Sequence, residues 1–420
     1  MNALRSCALG CLFLVLSGPV QAERNAWIAT WATSPEPADS DRNEPLSKID
    51  DQTVRERVRL SLGGTQIRIR FSNEYGSSPL RIGAATVAMP NDPSSVGPGS
   101  IQTVTFGGHP STTIPAGAPL LSDPVAFPVT AGAEISISIY FPKRVSTPTL
   151  HALALKRAVV SPRGDYTRAE KIESATMSQS SILVSAVLVP GQASQRLVVA
   201  FGDSFVDGDG STVDADNTWP NQLARRLAKT PEGSKAAVVN AGMAGNRLLG
   251  DGSSSGFSSF GVSALARFDR DVLALPGLTH VVLLEGLNDI GFPGAKLGKH
   301  ELATAGEAVT IQDLIDGYLQ LISRAHAHGV KLIGATIGPC EEVRFLSGYY
   351  SESKEAIRQA INKWIRTSGV FDGVIDIDAV LRDPGHPSRM LPKFLSKDRL
   401  HPNDAGYQAM ADAVDLNLFK

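Results

Sequence analysis

Four short segments carry the residue types that acyl transfer needs. Gly202-Asp203-Ser204 offers a hydroxyl. Asn240-Ala241-Gly242-Met243-Ala244-Gly245-Asn246 offers a turn of small residues. Glu285-Gly286-Leu287-Asn288-Asp289 offers a carboxamide among carboxylates, and Asp398-Arg399-Leu400-His401 puts a carboxylate just ahead of an imidazole. A serine hydroxyl is a poor nucleophile until a base takes its proton. An imidazole titrates near neutrality and can do so, and a carboxylate on its other nitrogen fixes the tautomer and stabilises the imidazolium. The oxyanion that develops needs donors aimed at it. A glycine lets a backbone N–H come close, and an asparagine amide adds a second kind of donor.

Each segment has a plainer explanation. Ser204 suits a helix N-cap, Asn288 and Asp289 suit a turn, Asp398 suits the surface and His401-Pro402 suits a helix start. Their order and their place after buried strands favour the chemical reading. The runs Leu197–Phe201, Ala236–Val239, Val281–Leu284, Leu332–Ala335 and Val374–Ile377 are continuously apolar, as central parallel strands buried on both faces are. Helical patterns alternate with them. Thr310 and Asp313 form a capping-box-like start, and Ile311, Leu314, Ile315, Tyr318, Leu319 and Ile322 follow at helical spacing up to Gly329. Ser351–Ser368 repeats the pattern, and Trp219-Pro220 opens another helix with Leu223 and Leu227 as core residues. Such alternation predicts a doubly wound α/β domain whose ligands lie beyond the carboxyl ends of the strands, where the four segments fall.

In this order the four blocks resemble those of the SGNH (GDSL-like) hydrolase superfamily, over Gly202 to His401. The first block reads Gly-Asp-Ser-Phe rather than Gly-Asp-Ser-Leu, a change at an apolar flank. The resemblance implies a flavodoxin-like three-layer fold and ester hydrolysis with no cofactor and no metal. It implies Ser204 as nucleophile, His401 as base and then acid, and Asp398 as the group orienting His401. The oxyanion donors it implies are the N–H groups of Ser204 and Gly245 and the amide of Asn288. Kinetically, kcat/KM is expected to rise through an imidazole pKa of about 6–7.

Upstream the pattern changes. Val58, Leu60 and Leu62, then Gly63-Gly64, then Ile67, Ile69 and Phe71 alternate with polar residues and predict a hairpin. Ile135–Phe141 and Ile182–Val189 read as further strands. Residues 23–193 are therefore expected to form a β-sandwich or jelly-roll-like accessory domain. A linker near Gly191–Ser194 leads to the hydrolase domain, 194–420. Residues 1–22 have the charge, apolar core and Val20-Gln21-Ala22 end of a secretory signal, so a secreted or periplasmic chain starting at Glu23 is expected. That apolar core is too short for a membrane span.

Lys+Arg 40 against Asp+Glu 42, with no polybasic run, leaves no electrostatic footprint for nucleic acid. Cys340, the one cysteine beyond residue 22, makes no internal disulfide and reads as an inert buried thiol. Asp207, Asp209, Asp214 and Asp216 fail the calcium-loop pattern, because Thr212 and Thr218 stand where Gly and Glu belong. They read as a solvated acidic loop. His326 and His328 suit a helix C-terminus. His109 and His151 stand isolated, and Arg247 fits either a substrate contact or a loop brace. The expected substrate is a small-molecule or glycan ester of a short acyl group, acetyl foremost. Acyl transfer to a sugar, a lipase- or lysophospholipase-like activity, and an inactive glycan-binding protein are the alternatives.

Overall fold

A computed structural model describes residues 27–38, 48–230, 235–252 and 256–420. The expected signal segment lies outside them. Among the described residues no helix is long and apolar enough to cross a membrane.

The second half is built on five parallel strands: β1 (Arg196–Gly202), β2 (Ala236–Gly242), β3 (Leu278–Leu284), β4 (Lys331–Ala335) and β5 (Gly373–Ile375). Their order across the sheet is β2-β1-β3-β4-β5, which is flavodoxin-like and reverses direction at β1. The apolar runs mark these strands because Leu197–Phe201 and Val281–Leu284 are all buried. One boundary differs from the pattern. β5 stops at Ile375, and Asp376 caps a helix over Ile377–Leu381 by accepting the Ala379 N–H. An apolar run continues through a strand end when the following turn is also buried, so hydrophobicity alone misses the cap.

The expected helices form at Trp219–Ala228, Ile311–Ala327 and Glu352–Thr367. The Thr310–Asp313 capping box closes in both directions. Helix Trp219–Ala228 packs on β2, and Ile311–Ala327 packs on β4.

The first half is β-rich. Trp27–Ala32, Val184–Pro190, Arg68–Asn73 and Ala118–Leu121 form an antiparallel sheet of four strands in that order. Gln52–Arg59 lies in a second antiparallel sheet, of six strands, between Glu134–Phe141 and Ala158–Arg163. The predicted hairpin is therefore absent, since its two arms belong to different sheets. Alternation tells which side chains face inward but not which strand is the partner. Gly63 is small for another reason than a tight turn: a Cβ there would lie 2.5 Å from Val129 O, where residues 129–131 cross.

Gly191–Gln195 carries neither helix nor strand and separates the antiparallel sheets from the parallel one. The two halves nonetheless meet closely. The Ala29 N–H donates to Pro276 O at 3.0 Å. Of the aspartates read as a solvated loop, Asp214 and Asp216 are instead part of this contact. Asp214 accepts from Arg57 at 2.8 Å, and Asp216 accepts from Arg59 at 2.6 Å and Lys156 at 2.7 Å. Their partners lie too distant in sequence for the acidic spacing to reveal them.

Candidate active site

β1 ends at Gly202, where a Cβ would lie 1.8 Å from Leu284 O, so only glycine lets β1 and β3 finish this close together. Asp203 then caps a single helical turn, Ser204–Asp207, by accepting the Phe205 N–H at 2.9 Å. That turn presents Ser204 at the carboxyl edge of the sheet. On the far side, the Asp398–His401 turn is held by one carboxylate. Asp398 Oδ1 accepts from the Leu400 and His401 N–H groups at 2.8 and 2.9 Å and from Ser396 Oγ at 2.7 Å. Oδ2 is left for the ring, 2.7 Å from His401 Nδ1. His401 Nε2 lies 2.8 Å from Ser204 Oγ. The hydroxyl, imidazole and carboxylate therefore form one hydrogen-bonded line.

The donor side is equally organised. Gly245 has φ +78°, and a Cβ there would enter the Phe260 ring at 2.2 Å. Asn288 Oδ1 accepts from Tyr349 OH at 2.8 Å, and Nδ2 donates to Asn246 O at 2.9 Å. This orients the amide and leaves its second hydrogen for the cleft. Asp289 accepts the Leu248 and Leu249 N–H groups at 2.6 and 2.9 Å, so the third block clamps the chain that follows the second. Ser204, Gly245, Asn288 and His401 line one cleft of about 220 Å³. Phe260, Phe292, Leu302, Phe345 and Leu346 make much of its wall apolar, and Glu36, Ala152 and Leu153 extend that wall from the first half of the chain.

Burial alone would lower the His401 pKa, but Asp209 and Asp398 outweigh it and raise it above 6.5. Asp209 Oδ2 is 3.6 Å from Nδ1, and its backbone is pinned where the Ser204 O accepts its N–H and its own O accepts Tyr407 OH at 2.6 Å. Asp398 is itself shifted down: burial opposes this, but its bonds to His401 prevail.

Several residues at this edge have no counterpart in the sequence motifs. Arg267 is fully buried and donates to Gly202 O at 2.8 Å, Ala241 O at 2.9 Å and Asn246 Oδ1 at 2.7 Å, tying together the ends of β1 and β2. His151, far from isolated, stands between Glu36 and Asp207. Arg247 resolves as a brace, donating to Glu307 at 3.0 Å and to Asp251 O at 2.7 Å. Cys340 is buried, which pushes its thiol up to about 12. His326 pairs with Asp372 at 2.8 Å.

Among the described residues two sets bring ligand-type atoms close together, Glu36–His151–Asp207 and Asp209–Asp398–His401. In both, each imidazole nitrogen already has a hydrogen-bonding oxygen, so shared protons account for the clustering.

The profile of the GDSL-like Lipase/Acylhydrolase family matches residues 200–409, half of the chain. Among solved structures the chain is similar to a GDSL-like lipase from Bacteroides thetaiotaomicron, at 16% identity over 54% of this chain and 88% of that one, TM-score 0.36. It is similar also to an aryl esterase from M. smegmatis, at 16% identity over 52% and 95%, TM-score 0.38. A third is an acetyl xylan esterase, at 20% identity over 52% and 96%, TM-score 0.37. No curated protein matches the chain.

Proposed function

The chain belongs to the GDSL-like lipase/acylhydrolase family and is a carboxylic ester hydrolase; from that premise we propose that it is a secreted serine esterase cleaving short acyl groups, acetyl foremost, through an acyl-enzyme on Ser204. The observation that carries this reading is the continuous line from Ser204 Oγ through His401 to Asp398, at 2.8 and 2.7 Å, opening on the cleft.

In the first half-reaction Ser204 Oγ attacks the ester carbonyl as its proton passes to His401 Nε2. The carbonyl oxygen becomes an oxyanion, received by the N–H groups of Ser204 and Gly245 and by Asn288 Nδ2. His401 returns the proton to the departing alcohol as the C–O bond breaks, which leaves the acyl group on Ser204. In the second half-reaction water gives its proton to His401 and adds to the acyl carbon; His401 then passes that proton to Ser204 Oγ as the acyl C–Oγ bond breaks, which frees the acid and restores the serine hydroxyl. Asp398 keeps Nδ1–H oriented and stabilises the imidazolium throughout.

The modest cleft volume supports a short acyl chain. The wall contributed by the first half supports a role for residues 23–193, read as a β-sandwich, in shaping the alcohol side, which suits an acylated sugar. On this reading 194–420 is the catalytic domain, and 1–22 is removed on export. The test is a series of p-nitrophenyl esters of increasing acyl length, run beside acetylated polysaccharides. Maximal kcat/KM on acetate, with acetate released from the polysaccharide, is the expected result. A maximum at long chains would move the assignment to a lipase. A fluorophosphonate should label Ser204, and the intact mass of exported protein should begin at Glu23.

A further inference from the structure

The turn bearing Gly245 is held on both sides by side chains that reach back to the β-rich half of the chain. On one side, Asp207 Oδ2 accepts the Ala244 N–H at 3.0 Å. Asp207 ends the helical turn that begins at Ser204, and its Oδ1 lies 3.0 Å from His151 Nε2. His151 Nδ1 faces Ser34 O at 3.1 Å and Glu36 Oε1 at 3.1 Å, and Glu36 Oε2 accepts the Ala152 N–H at 2.8 Å. On the other side, Arg267 donates both to Asn246 Oδ1 and to Ser34 Oγ, at 2.7 and 3.0 Å. The residues flanking Gly245 are thus both traced back to the segment Ser34–Glu36. Glu36, His151 and Asp207 are all buried.

We propose that His151 is a positioning residue for the oxyanion turn: bridging Glu36 and Asp207, it keeps the Asp207 carboxylate on the Ala244 N–H and thereby fixes the aim of the neighbouring Gly245 N–H. The inference rests on the esterase reading, since it needs an oxyanion at Gly245. A neutral imidazole donates from one nitrogen only, whereas oxygens face both nitrogens here. The charged ring satisfies both sides. Burial disfavours that charge, but Asp207 and Glu36 outweigh it and hold the pKa well above 6.5. Without the ring, Asp207 is a buried carboxylate short of a partner, free to turn or to take a proton. Either change loosens its hold on Ala244. A mere latch between the halves would not need the second Asp207 oxygen on this turn.

The experiment compares His151→Gln with wild type on p-nitrophenyl acetate, scaling kcat to sites labelled by a fluorophosphonate. It also measures inhibition by an alkylboronic acid. Boron takes Ser204 Oγ as the hydroxyl proton passes to His401, and the tetrahedral adduct directs an oxygen at the donors. Loss of one whole oxyanion donor costs about 10²–10³ in kcat, so a misaimed one should cost about tenfold to thirtyfold. The boronate inhibition constant should rise by a similar factor, with KM little changed. Unchanged kcat per labelled site and unchanged boronate inhibition would overturn the proposal and leave a structural latch. Should His151→Gln not fold, Asp207→Asn and Asp207→Ala decide. The amide oxygen of Asn can still accept from Ala244 and the methyl of Ala cannot, so kcat should fall at least tenfold further in Asp207→Ala. Equal kcat values would sink the idea. Turnover surviving in Ser204→Ala would instead break the esterase reading beneath it.

Discussion

Two buried imidazoles, His401 and His151, stand among carboxylates at one edge of the parallel sheet. Carboxylates raise both above their ordinary pKa against the pull of burial. What lies on the far side of each ring separates them. His401 has Asp398 on one nitrogen and the Ser204 hydroxyl on the other, so a proton has somewhere to come from. His151 meets oxygens of Glu36, Ser34 and Asp207 and faces no hydroxyl whose proton it could take. On the proposed reading, the same side chain with the same burial serves as a base in one place and as a fixed cation in the other. The partner opposite the carboxylate decides which.

The comparison breaks most visibly if the two rings are equally important to turnover. Ser204→Ala and His401→Ala should each lower kcat by about 10³ or more while the fold is kept, far beyond the loss expected at His151. Circular dichroism beside the steady-state assay checks both points. Next in size is the proposed oxyanion donor that neither ring touches. Asn288→Ala should lower kcat by about 10²–10³ with little change in KM. In combination with His151→Gln its effect should fall short of additive, because both changes act on one oxyanion. A pure KM effect would move Asn288 to the substrate pocket.

A smaller effect sharpens the His401 side. If the neutral ring is the base, as proposed, kcat/KM should rise as pH climbs through the folded pKa of His401. The raised pKa moves that limb to higher pH than an ordinary imidazole would give. The charged neighbours responsible are Asp209, Asp398 and Asp203. Asp209→Asn removes the nearest besides Asp398 and should move the limb to lower pH. An unmoved limb would remove Asp209 from the account.

The smallest effect concerns the strand that carries His151. Leu150 and His151 pair with Ser181–Ile182, and Glu56 accepts the Ile182 N–H at 2.5 Å and Ser181 Oγ at 3.0 Å. Burial pushes the Glu56 carboxyl up to about 8, against the lowering effect of those bonds. The unfolded chain ionises this group near 4.5, so its contribution is full below that pH and is lost as pH rises through about 8. Relative to wild type, Glu56→Gln should gain about 2–4 °C in Tm between pH 5 and pH 9. A constant difference would mean that Glu56 is ionised throughout.

The two imidazoles also differ in how far the chain betrays them. His401 follows Asp398 within one short turn, after a regular alternation of strands and helices, so local spacing and strand-end logic reach it. Ser204 and Asn288 follow β1 and β3 for the same reason. His151 has no such frame. Its partners lie 117 and 56 residues away at Ser34 and Asp207, and Arg267 meets Ser34 across 233 residues. Lone polar residues at such separations leave no periodic signal. The antiparallel half hides its pairing in the same way. Val58 and Ile69 follow one alternation on either side of Gly63-Gly64, yet they face different neighbours in different sheets. The parallel half allows fewer mistakes, because its crossover connections dictate the direction of every strand.

Trp27–Ala32 closes its sheet only against Val184–Pro190, with Trp27 opposite Pro190. Pairings this distant in the chain form slowly, because a long loop must be closed before any contact rewards it. Ser34 and Glu36 come just after that strand and are the ones that reach the oxyanion turn. When the chain refolds, the helices of the parallel half are free to form early. The two flanks of Gly245 gain their outer supports only after residues 27–36 have docked. On the proposed role of His151, full turnover should therefore trail the helical signal, with a lag set by one edge strand.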